Sequence, residues 1–586
     1  MTKSMSGISA ALIAFLFVVA GLASAAPDTS VDPLIGVWEA KLRFGPDIKG
    51  PLTITRTREG WTADIAGRRV TAPAGAKVDF QLPNDDGGFR GMLNARGDAI
   101  DGHWIQRRTT FNGTVYATPV RLVSYGPDRW QGEVAPLDDA MTLYLKIEAG
   151  EKGAARVFLR NPERNVGVFV NLTRLTRDGD NVHLFRKQED NEREIVTGTF
   201  DSENDQIRLP IPSLGGTYDF VRGGDTSGFF PRNRQAARYV YRPPQARDDG
   251  WSVGSLDGAG ISRPGIEAFV QKLIDMPIDS VHASDIHGFL LARHGKLLVE
   301  EYFHGFHRDV LHDTRSAAKS VTSTLAGAAI SAGFRLDAST SVYGAMSGGK
   351  IPDGIEPRKR TMTIEHLLTM SSGFNCDDAN SEAPGNEDVM QSQAKEPDWY
   401  RYALALPTVS DPGAASVYCS TNANLLGGVI NRVTGQPLDS LFARLVAGPL
   451  GIKRYAMNLT PTGEPYMGGG IHFAPRDFMK FGQLMLNKGK WNGKRVLSEA
   501  WAVRAGSPLQ ALRDIHYGYF WWVADLPYKG RTVRASFAGG NGGQVVMVVA
   551  ELDLVIAFFG GNYGDKVLYI PQRVFVPEFI LPAVDE

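Results

Sequence analysis

The hydrophobic positions divide the chain into two regions with different periodicity. From residue 27 to about residue 245, apolar and polar residues alternate in short runs, as at 51–56, 143–147 and 156–160. A period of two is typical of strands with one buried face, and Gly, Asn, Asp and Pro separate the runs at short intervals. We therefore predict an all-β N-terminal region, residues 26–245, that forms a barrel or a sandwich in one or two subdomains.

From about residue 261 onward, helix and strand patterns mix. Apolar runs at 289–293 and 296–300 flank His294-Gly295, and runs at 544–549 and 554–559 flank residues 551–553, so each pair indicates a hairpin. The apolar, small-residue segment 316–330 is predicted to be a helix. Strands at both ends with helices between them predict an antiparallel sheet closed by its terminal segments, with a helical insertion packed against it.

Length and composition are those of a soluble protein with more than one domain. A chain of 586 residues is too long for one ordinary core. We assign residues 265–586 to the mixed domain and the Pro-, Gly- and Asp-rich residues 246–264 to a linker. The net charge of -1 offers no basic field for nucleic acid.

The first residues have the pattern of an export signal. Lys3 precedes the apolar stretch 10–20, and Ala23-Ser24-Ala25 forms an A-x-A cleavage site. We predict a signal peptide over residues 1–25 and a periplasmic or secreted mature protein with no stable membrane span. An uncleaved anchor is the alternative, but its apolar core is short for a span.

The chain contains two cysteines, Cys376 and Cys419. In an exported protein this number favours one disulfide, with two buried free thiols as the alternative. The bridge would contribute about 3–4 kcal/mol to stability in the chain-entropy model. Cys419 also adjoins a candidate catalytic residue, Tyr418.

Candidate chemistry begins with Ser316-Ala317-Ala318-Lys319, at the start of the predicted helix. Residues three apart share a helix face, so the Lys319 amine would lie over the Ser316 hydroxyl. A buried amine has a lowered pKa and can remove the hydroxyl proton. The same letters occur at 347–350 and 392–395, but those segments are glycine-rich or polar and neither starts a buried helix.

Two further elements complete the candidate site. Tyr418 precedes an apolar helix pattern and can act as a phenolate base, although an isolated tyrosine is more often an ordinary half-buried aromatic. Gly539, Gly540 and Asn541 lie in a glycine-rich segment that can bring backbone N–H groups to an oxyanion, with the Ser316 N–H as second donor. A plain glycine-rich turn is the alternative there.

In this order and spacing, the three elements resemble the serine β-lactamase and penicillin-binding-protein-like superfamily. The resemblance covers about residues 265–580 and is nearest to class C β-lactamase-related serine hydrolases, which include esterases and 6-aminohexanoate-dimer hydrolases. It implies an α/β sandwich with an antiparallel sheet and a helical lobe. It also implies that Ser316 is the acylated nucleophile, Lys319 the acylation base and Tyr418 the partner base.

The sequence departs from the family pattern at two places. The third position of the Tyr-x-Asn motif is Ser420, and the Lys-Thr-Gly strand motif reads Ala538-Gly539-Gly540, with Ala535-Ser536-Phe537 as a second alignment. The missing lysine argues against efficient recognition of β-lactams or D-Ala-D-Ala. Arg534 is the alternative cation that could take the place of this lysine. An ester or unusual amide fits better.

Other residues were assigned structural roles. His304 and His307 lie near Glu300 and Glu301, but without helical zinc-ligand spacing, so we predict solvated surface residues and no metal. His282, His287 and His312 are treated as isolated. The aromatic pairs at 399–400 and 521–522 could line a pocket, but core packing is the more frequent use of such side chains.

The sequence therefore predicts an exported serine hydrolase that cleaves an ester or amide through an acyl-enzyme on Ser316. It needs no cofactor and acts on a small-molecule or peptide-like substrate. A D,D-peptidase or β-lactamase is one alternative. A catalytically silent protein that binds a ligand with its β-rich region is another. The sequence does not indicate an oligomeric state.

Overall fold

The structure, a computed structural model, describes residues 28–46, 48–107, 113–151, 153–188, 191–232 and 238–585. The predicted signal peptide lies outside the described residues. Among the residues described, no helix is both long enough and apolar enough to cross a bilayer.

The N-terminal region is all-β, as predicted. One of its two units is a closed antiparallel barrel of eight strands. The first strand pairs with both the second and the last, which closes the barrel. Trp38, in the first strand, is fully buried in the barrel core. The strands are Gly36–Gly45, Asp139–Ala149, Ala155–Arg160, Leu172–Asp178, Asn181–Gln188, Asn191–Asp201, Gln206–Ile211 and Gly216–Arg222.

A second β unit is inserted between the first and second barrel strands. Its antiparallel strands pack around a core that includes Trp61, Trp104 and Trp130. Burial alternates along them, because one face covers the core and the other meets solvent. The strands are Gly50–Arg56, Gly60–Ile65, Arg68–Pro73, Lys77–Gln81, Gly88–Leu93, Ala99–Gln106, Tyr116–Gly126 and Arg129–Val134.

The sheet of this inserted unit continues into the C-terminal domain. Strand Tyr116–Gly126 pairs with Tyr455–Asn458, which pairs with Ile471–Phe473. The latter pairs with His312–Asp313, directly before Ser316. Backbone hydrogen bonds therefore connect the N-terminal region to the segment that carries the candidate nucleophile.

The C-terminal domain is built on a nine-stranded sheet. Both predicted hairpins are confirmed, and strand Ile286–Arg293 pairs with Leu554–Gly560, so the terminal segments meet in the sheet as predicted. In spatial order the strands are Ser252–Val253, Lys296–Tyr302, Ile286–Arg293, Leu554–Gly560, Gln544–Val549, Arg531–Gly540, Trp522–Tyr528, Ile515–Tyr517 and Gln510–Leu512.

Helices cover both faces of this sheet and give it two apolar layers. The α-helices of the insertion are Lys319–Ser331, Val342–Met346, Ile364–Leu368, Glu387–Ser392, Trp399–Ala405, Ser420–Thr434, Leu438–Phe442, Gly448–Leu450, Pro475–Leu486 and Glu499–Ala505. Helix Arg263–Ile274 and the π-helix Pro571–Ile580 cover the opposite face. This arrangement is the predicted antiparallel sheet with a helical lobe.

The predicted linker packs firmly against the C-terminal domain. The Trp251 side chain is buried, and its Nε1 donates to the Arg476 carbonyl oxygen at 3.0 Å. The Arg476 guanidinium pairs with Asp249 at 2.9 Å and donates to Glu300 at 2.9 Å. Glu300, predicted to be solvated, is therefore a buried partner of Arg476, because the packing of this segment covers its strand.

Candidate active site

Ser316 lies in a 3₁₀ turn, Arg315–Ala318, that leads into helix Lys319–Ser331. The sequence predicted one helix from Ser316, and the structure instead starts the α-helix at Lys319. In a 3₁₀ turn residues i and i+3 are aligned, which places the two side chains on one face. The Lys319 Nζ donates to the Ser316 Oγ at 2.8 Å.

Burial distinguishes this pair from the two segments with the same letters. Lys319 is 1 % exposed. Ser347 and Ser392 are both exposed, as are the lysines that follow them at 350 and 395. An amine in solvent stays fully hydrated, so only the Ser316 segment has an environment that couples an amine closely to a hydroxyl.

The charge of Lys319 differs from the sequence prediction, which assumed a lowered pKa. Burial does act to lower the pKa of this amine, but Tyr418, Glu387 and Asp378 act in the opposite direction and raise the pKa above its ordinary value. The prediction was wrong because it counted desolvation and not the anionic neighbours. Lys319 is accordingly an ammonium group in the resting site.

Tyr418 lies beside Lys319 at the start of helix Ser420–Thr434. The Lys319 Nζ is 5.1 Å from the centre of the Tyr418 ring, and the Arg513 guanidinium carbon is 5.3 Å from it. The Trp522 ring stacks on Tyr418 with centroids 5.4 Å apart. A phenolate formed here would have two cations beside it. Of the two alternatives for Trp522, the structure has the pocket-lining one, because its strand begins at the cleft.

A disulfide holds the backbone around Tyr418. Cys376 and Cys419 are bonded, with Cα atoms 5.6 Å apart. The bridge brings the segment after Cys376 close to Tyr418, whose carbonyl oxygen accepts from the Asp378 N–H at 3.0 Å. The loop is therefore fixed to the residue that the sequence assigns to catalysis.

Ser420, at the position where the family motif has asparagine, binds two carboxylates. Its Oγ donates to Asp378 Oδ2 at 2.6 Å and lies 3.2 Å from Glu387 Oε2. Burial and the nearby Glu387 raise the pKa of Asp378, against the influence of Lys319. The sequence analysis did not identify either carboxylate as part of the site. The predicted disulfide could have indicated them, because it places the loop after Cys376 beside Tyr418.

Gly539, Gly540 and Asn541 lie where strand Arg531–Gly540 reaches the nucleophile turn. A Cβ on Gly540 would be 2.4 Å from the Thr314 carbonyl oxygen, so the close approach requires glycine. The N–H of Gly564 donates to the Asn541 Oδ1 at 3.0 Å. The strand edge is therefore held against the turn that carries Ser316.

The missing lysine of the strand motif is not replaced from the same strand. Ala538 is 1 % exposed and packs in the apolar layer under the helical lobe. The Arg534 guanidinium pairs with Asp525 at 3.1 Å and does not line the cavity. Neither position supplies a cation to the site.

One cavity of about 1830 Å³ contains the candidate residues. Ser316, Tyr418 and the strand end Gly539–Asn541 line it on the side of the C-terminal domain. Barrel residues line it as well, among them Phe169 and Ile195. The candidate site is thus shared between the two regions of the chain.

Three histidines that the sequence treated as isolated or solvated form a buried cluster. His287, His304 and His312 are at most 5 % exposed. The His287 Nδ1 lies 2.8 Å from the His312 Nε2, and Asp285 lies 3.3 Å from the Arg160 guanidinium of the barrel. The cluster links the barrel to the strand before Ser316, a contact that tertiary packing alone creates.

Burial lowers the pKa of His304 to about 4 and that of His312 to about 3. Both rings are therefore neutral at physiological pH. Among the residues that the structure describes, no group of three or more His, Cys, Asp or Glu side chains is arranged to hold a metal ion.

The amino-acid sequence is similar to those of known hydrolases. A 6-aminohexanoate-dimer hydrolase from Paenarthrobacter ureafaciens is 27 % identical over 241 residues, 39 % of this chain and 59 % of that protein. Esterase EstB from Burkholderia gladioli is 29 % identical over 214 residues, 34 % of this chain and 52 % of that protein. The chain thus spans between half and three fifths of the length of these relatives.

Solved structures with a similar arrangement include a family VIII carboxylesterase, 18 % identical, with a TM-score of 0.40 over 53 % of this chain and 94 % of that chain. A penicillin-binding protein homologue from Caulobacter crescentus is 16 % identical, with a TM-score of 0.40 over 52 % of this chain and 94 % of that chain. The family model described as Beta-lactamase matches residues 282–561, which contain every candidate catalytic residue. This part of the chain is therefore similar to the beta-lactamase family.

Proposed function

We propose that the protein is a serine hydrolase that cleaves an ester or amide through an acyl-enzyme on Ser316. The observation that carries the proposal is the 2.8 Å contact between the Lys319 Nζ and the Ser316 Oγ, beside a cavity that Ser316 and Tyr418 both line. A hydroxyl that attacks a carbonyl needs a neighbouring proton acceptor, and this pair lies within reach of one.

Tyr418 is the base in this proposal, because Lys319 carries a proton. The Tyr418 phenolate accepts the Ser316 proton, directly or through the Lys319 ammonium, which passes one proton on as it takes the other. The Ser316 Oγ then bonds to the substrate carbonyl carbon. The protonated Tyr418 gives its proton to the leaving group as the scissile bond breaks.

Backbone N–H groups of Ser316 and of the strand end at Gly540–Asn541 are the proposed donors to the oxyanion. Two donors fixed by the fold stabilise this charge without reorganisation. In the second half of the reaction Tyr418 takes a proton from water, and the water oxygen attacks the acyl carbon. Ser316 regains its proton as the acid leaves.

An ester or unusual amide is the proposed substrate class. The relatives named above are a hydrolase of 6-aminohexanoate dimer and an esterase. The strand positions Ala538 and Arg534 place no cation in the cavity, so the strand contact that would hold a β-lactam carboxylate is missing. The A-x-A pattern at residues 23–25 further supports the proposal that the protein is exported to the periplasm or secreted.

The test compares Ser316→Ala with Ser347→Ala, a matched serine in the exposed copy of the same letters. Ser316→Ala is expected to lower turnover of p-nitrophenyl esters by at least about 10⁴-fold. It should also abolish the mass increment that a fluorophosphonate adds to the intact protein. Ser347→Ala should keep both.

Undiminished labelling or turnover in Ser316→Ala would refute the proposal. Nitrocefin turnover by the unaltered protein would move the assignment toward a β-lactamase. An unaltered protein that forms no adduct with fluorophosphonate, penicillin or ester would be a catalytically silent binding protein.

A further inference from the structure

We propose that the barrel is a wall of the substrate cleft, and that Phe169 and Ile195 of the barrel, with Tyr569 of the C-terminal domain, bind an extended apolar chain of the substrate. The inference rests on the proposed hydrolase function and adds the substrate class. It assigns the barrel a role in recognition.

The size of the cavity is the first observation. Its volume of about 1830 Å³ exceeds the roughly 300–1,000 Å³ of ordinary small-molecule sites. Residues of the C-terminal domain, among them Ser316 and Tyr418, line one part of it, and barrel residues line another. A substrate that touches both parts must extend well beyond the bond that is cleaved.

Exposed apolar side chains are the second observation. Phe169 is 65 % exposed, and Ile195 and Tyr569 are each 37 % exposed. All three line this one cavity, although they come from two regions of the chain. Large apolar side chains that face a common cleft mark a binding surface, because each gains free energy when a ligand removes water from it.

The local fold places the Phe169 ring in the cleft. Phe169 belongs to the short helix Val166–Val170, and Asn165 and Asn171 flank it in the left-handed conformation that asparagine tolerates. The Asn165 Nδ2 donates to the Tyr563 carbonyl oxygen at 3.1 Å, which attaches this helix to the C-terminal domain. The ring position is thus set by the fold.

Phe169 is also connected to the catalytic strand. Its Cζ would be 3.1 Å from a Cβ on Gly564, so the ring lies against that glycine. The Gly564 N–H donates to Asn541, directly after Gly540. The apolar wall is therefore continuous with the proposed oxyanion donors.

Two ion pairs lie in the lining of the cleft. Arg164 pairs with Asp139 at 2.5 Å, and Arg573 pairs with Asp514 at 3.1 Å. Further apolar side chains line both walls. On the barrel side they include Val166, Val170 and Val196, and on the side of the C-terminal domain Ile515, Leu526 and Leu568. Carboxylates outnumber cationic side chains in the lining, which disfavours an anionic chain, and the apolar side chains favour an uncharged one.

The chain could belong to the acyl group or to the alcohol, and two substrate series separate these sources. One series is p-nitrophenyl esters from acetate to decanoate, and the other is acetate esters of alcohols from methanol to decanol. In one series kcat/KM of the unaltered protein should rise with length. The double variant Phe169→Ser/Ile195→Ser should lower the ratio of long to short kcat/KM in that series by about tenfold or more.

The matched control is Tyr125→Ser/Val123→Ser, which alters exposed side chains of the inserted β unit outside the cavity and should leave the ratio unchanged. If the Phe169/Ile195 double variant keeps the ratio of long-chain to short-chain kcat/KM, the inference is wrong. This holds whether the two kcat/KM values stay constant or fall by the same factor. The absence of any length preference in the unaltered protein would overturn it as well.

A binding measurement on a variant that cannot turn the substrate over tests the apolar wall independently of the proposed hydrolase function. Calorimetric titration of Ser316→Ala with methyl decanoate and with decyl acetate should give weaker binding of one of the two esters, by about tenfold, when Phe169 and Ile195 are also replaced by Ser. If Ser316 proved not to be acylated, the proposed hydrolase function would fail, whereas equal binding by both proteins would refute the apolar wall.

Discussion

The barrel and the nine-stranded sheet of the C-terminal domain differ in how their strands are buried. Residues alternate between buried and exposed along strand Gln206–Ile211 of the barrel. Every residue of Gln544–Val549 and of Leu554–Gly560 is buried, because helices cover both faces of their sheet. A sheet with one free face can offer surface to a ligand, whereas a sheet covered on both faces can offer chemistry only at strand ends and adjoining turns.

The candidate site follows this division. Ser316 lies in a turn, Tyr418 lies just before a helix, and Gly540 ends a strand of the covered sheet. The barrel side of the cavity contributes Phe169 and Ile195. We infer that the C-terminal domain carries the reaction and the barrel shapes the cleft, and the following experiments test each side of that contrast.

The largest effect is expected on the chemical side, from Tyr418→Phe. Removing the phenol oxygen removes the proposed proton acceptor and should lower kcat by about 10²- to 10⁴-fold, with little change in KM. Steady-state kinetics on a p-nitrophenyl ester would measure both constants. Tyr125→Phe is the matched control on the inserted β unit. A kcat within about threefold of the unaltered value would show that Lys319 acts without Tyr418.

The contact between the regions is tested next by Arg160→Met. This change leaves the Asp285 carboxylate buried without its barrel cation, which typically costs about 3–5 kcal/mol in the free energy of unfolding. Urea denaturation would measure the loss, with Arg193→Met, at an exposed barrel position, as control. Equal stability of both variants would mean that the barrel docks independently of Asp285.

Gly540→Ala probes the close approach of strand and turn. The added methyl group would collide with the Thr314 carbonyl oxygen, so strand or turn must move, at a cost of about 1–3 kcal/mol in stability and with a lower kcat. Gly126→Ala, where a Cβ meets open space, is the control. A normal kcat in the Gly540→Ala variant would exclude this strand end from the oxyanion site.

A smaller effect is expected from pH. Unfolded histidines take up protons near pH 6.5, whereas folded His304 and His312 stay neutral down to about 4 and about 3. Below pH 6.5 the unfolded state therefore binds more protons, and stability falls as the pH falls toward 4. Asp285, whose pKa is lowered by Arg160 and the nearby histidines against the effect of burial, adds no loss in this window.

Urea midpoints at pH 7.5, 6.5 and 5 would measure this dependence. The double variant His304→Asn/His312→Asn should show a shallower pH dependence than the unaltered protein. A midpoint that does not change between pH 7.5 and 5 would contradict the buried, neutral state of these rings.

Much of the architecture was predictable because it depends on residues close in sequence. Period-two alternation predicted the β region, and two apolar runs around His294-Gly295 predicted a hairpin that the structure confirms. The spacing of Ser316 and Lys319 predicted two side chains on one face, which holds in the 3₁₀ turn as well. The predicted signal peptide and cellular location remain predictions.

Only the tertiary structure decided the features that depend on distant residues. Closure of the barrel, the buried histidine cluster, the carboxylates bound by Ser420 and the shared cavity all join segments far apart in the chain. The charge of Lys319 belongs with them, because its pKa is set by groups that folding brings near. The local periodicity of the sequence shows which face of a helix or strand is apolar. The pKa values and the shape of the cavity depend instead on which distant residues pack against that face.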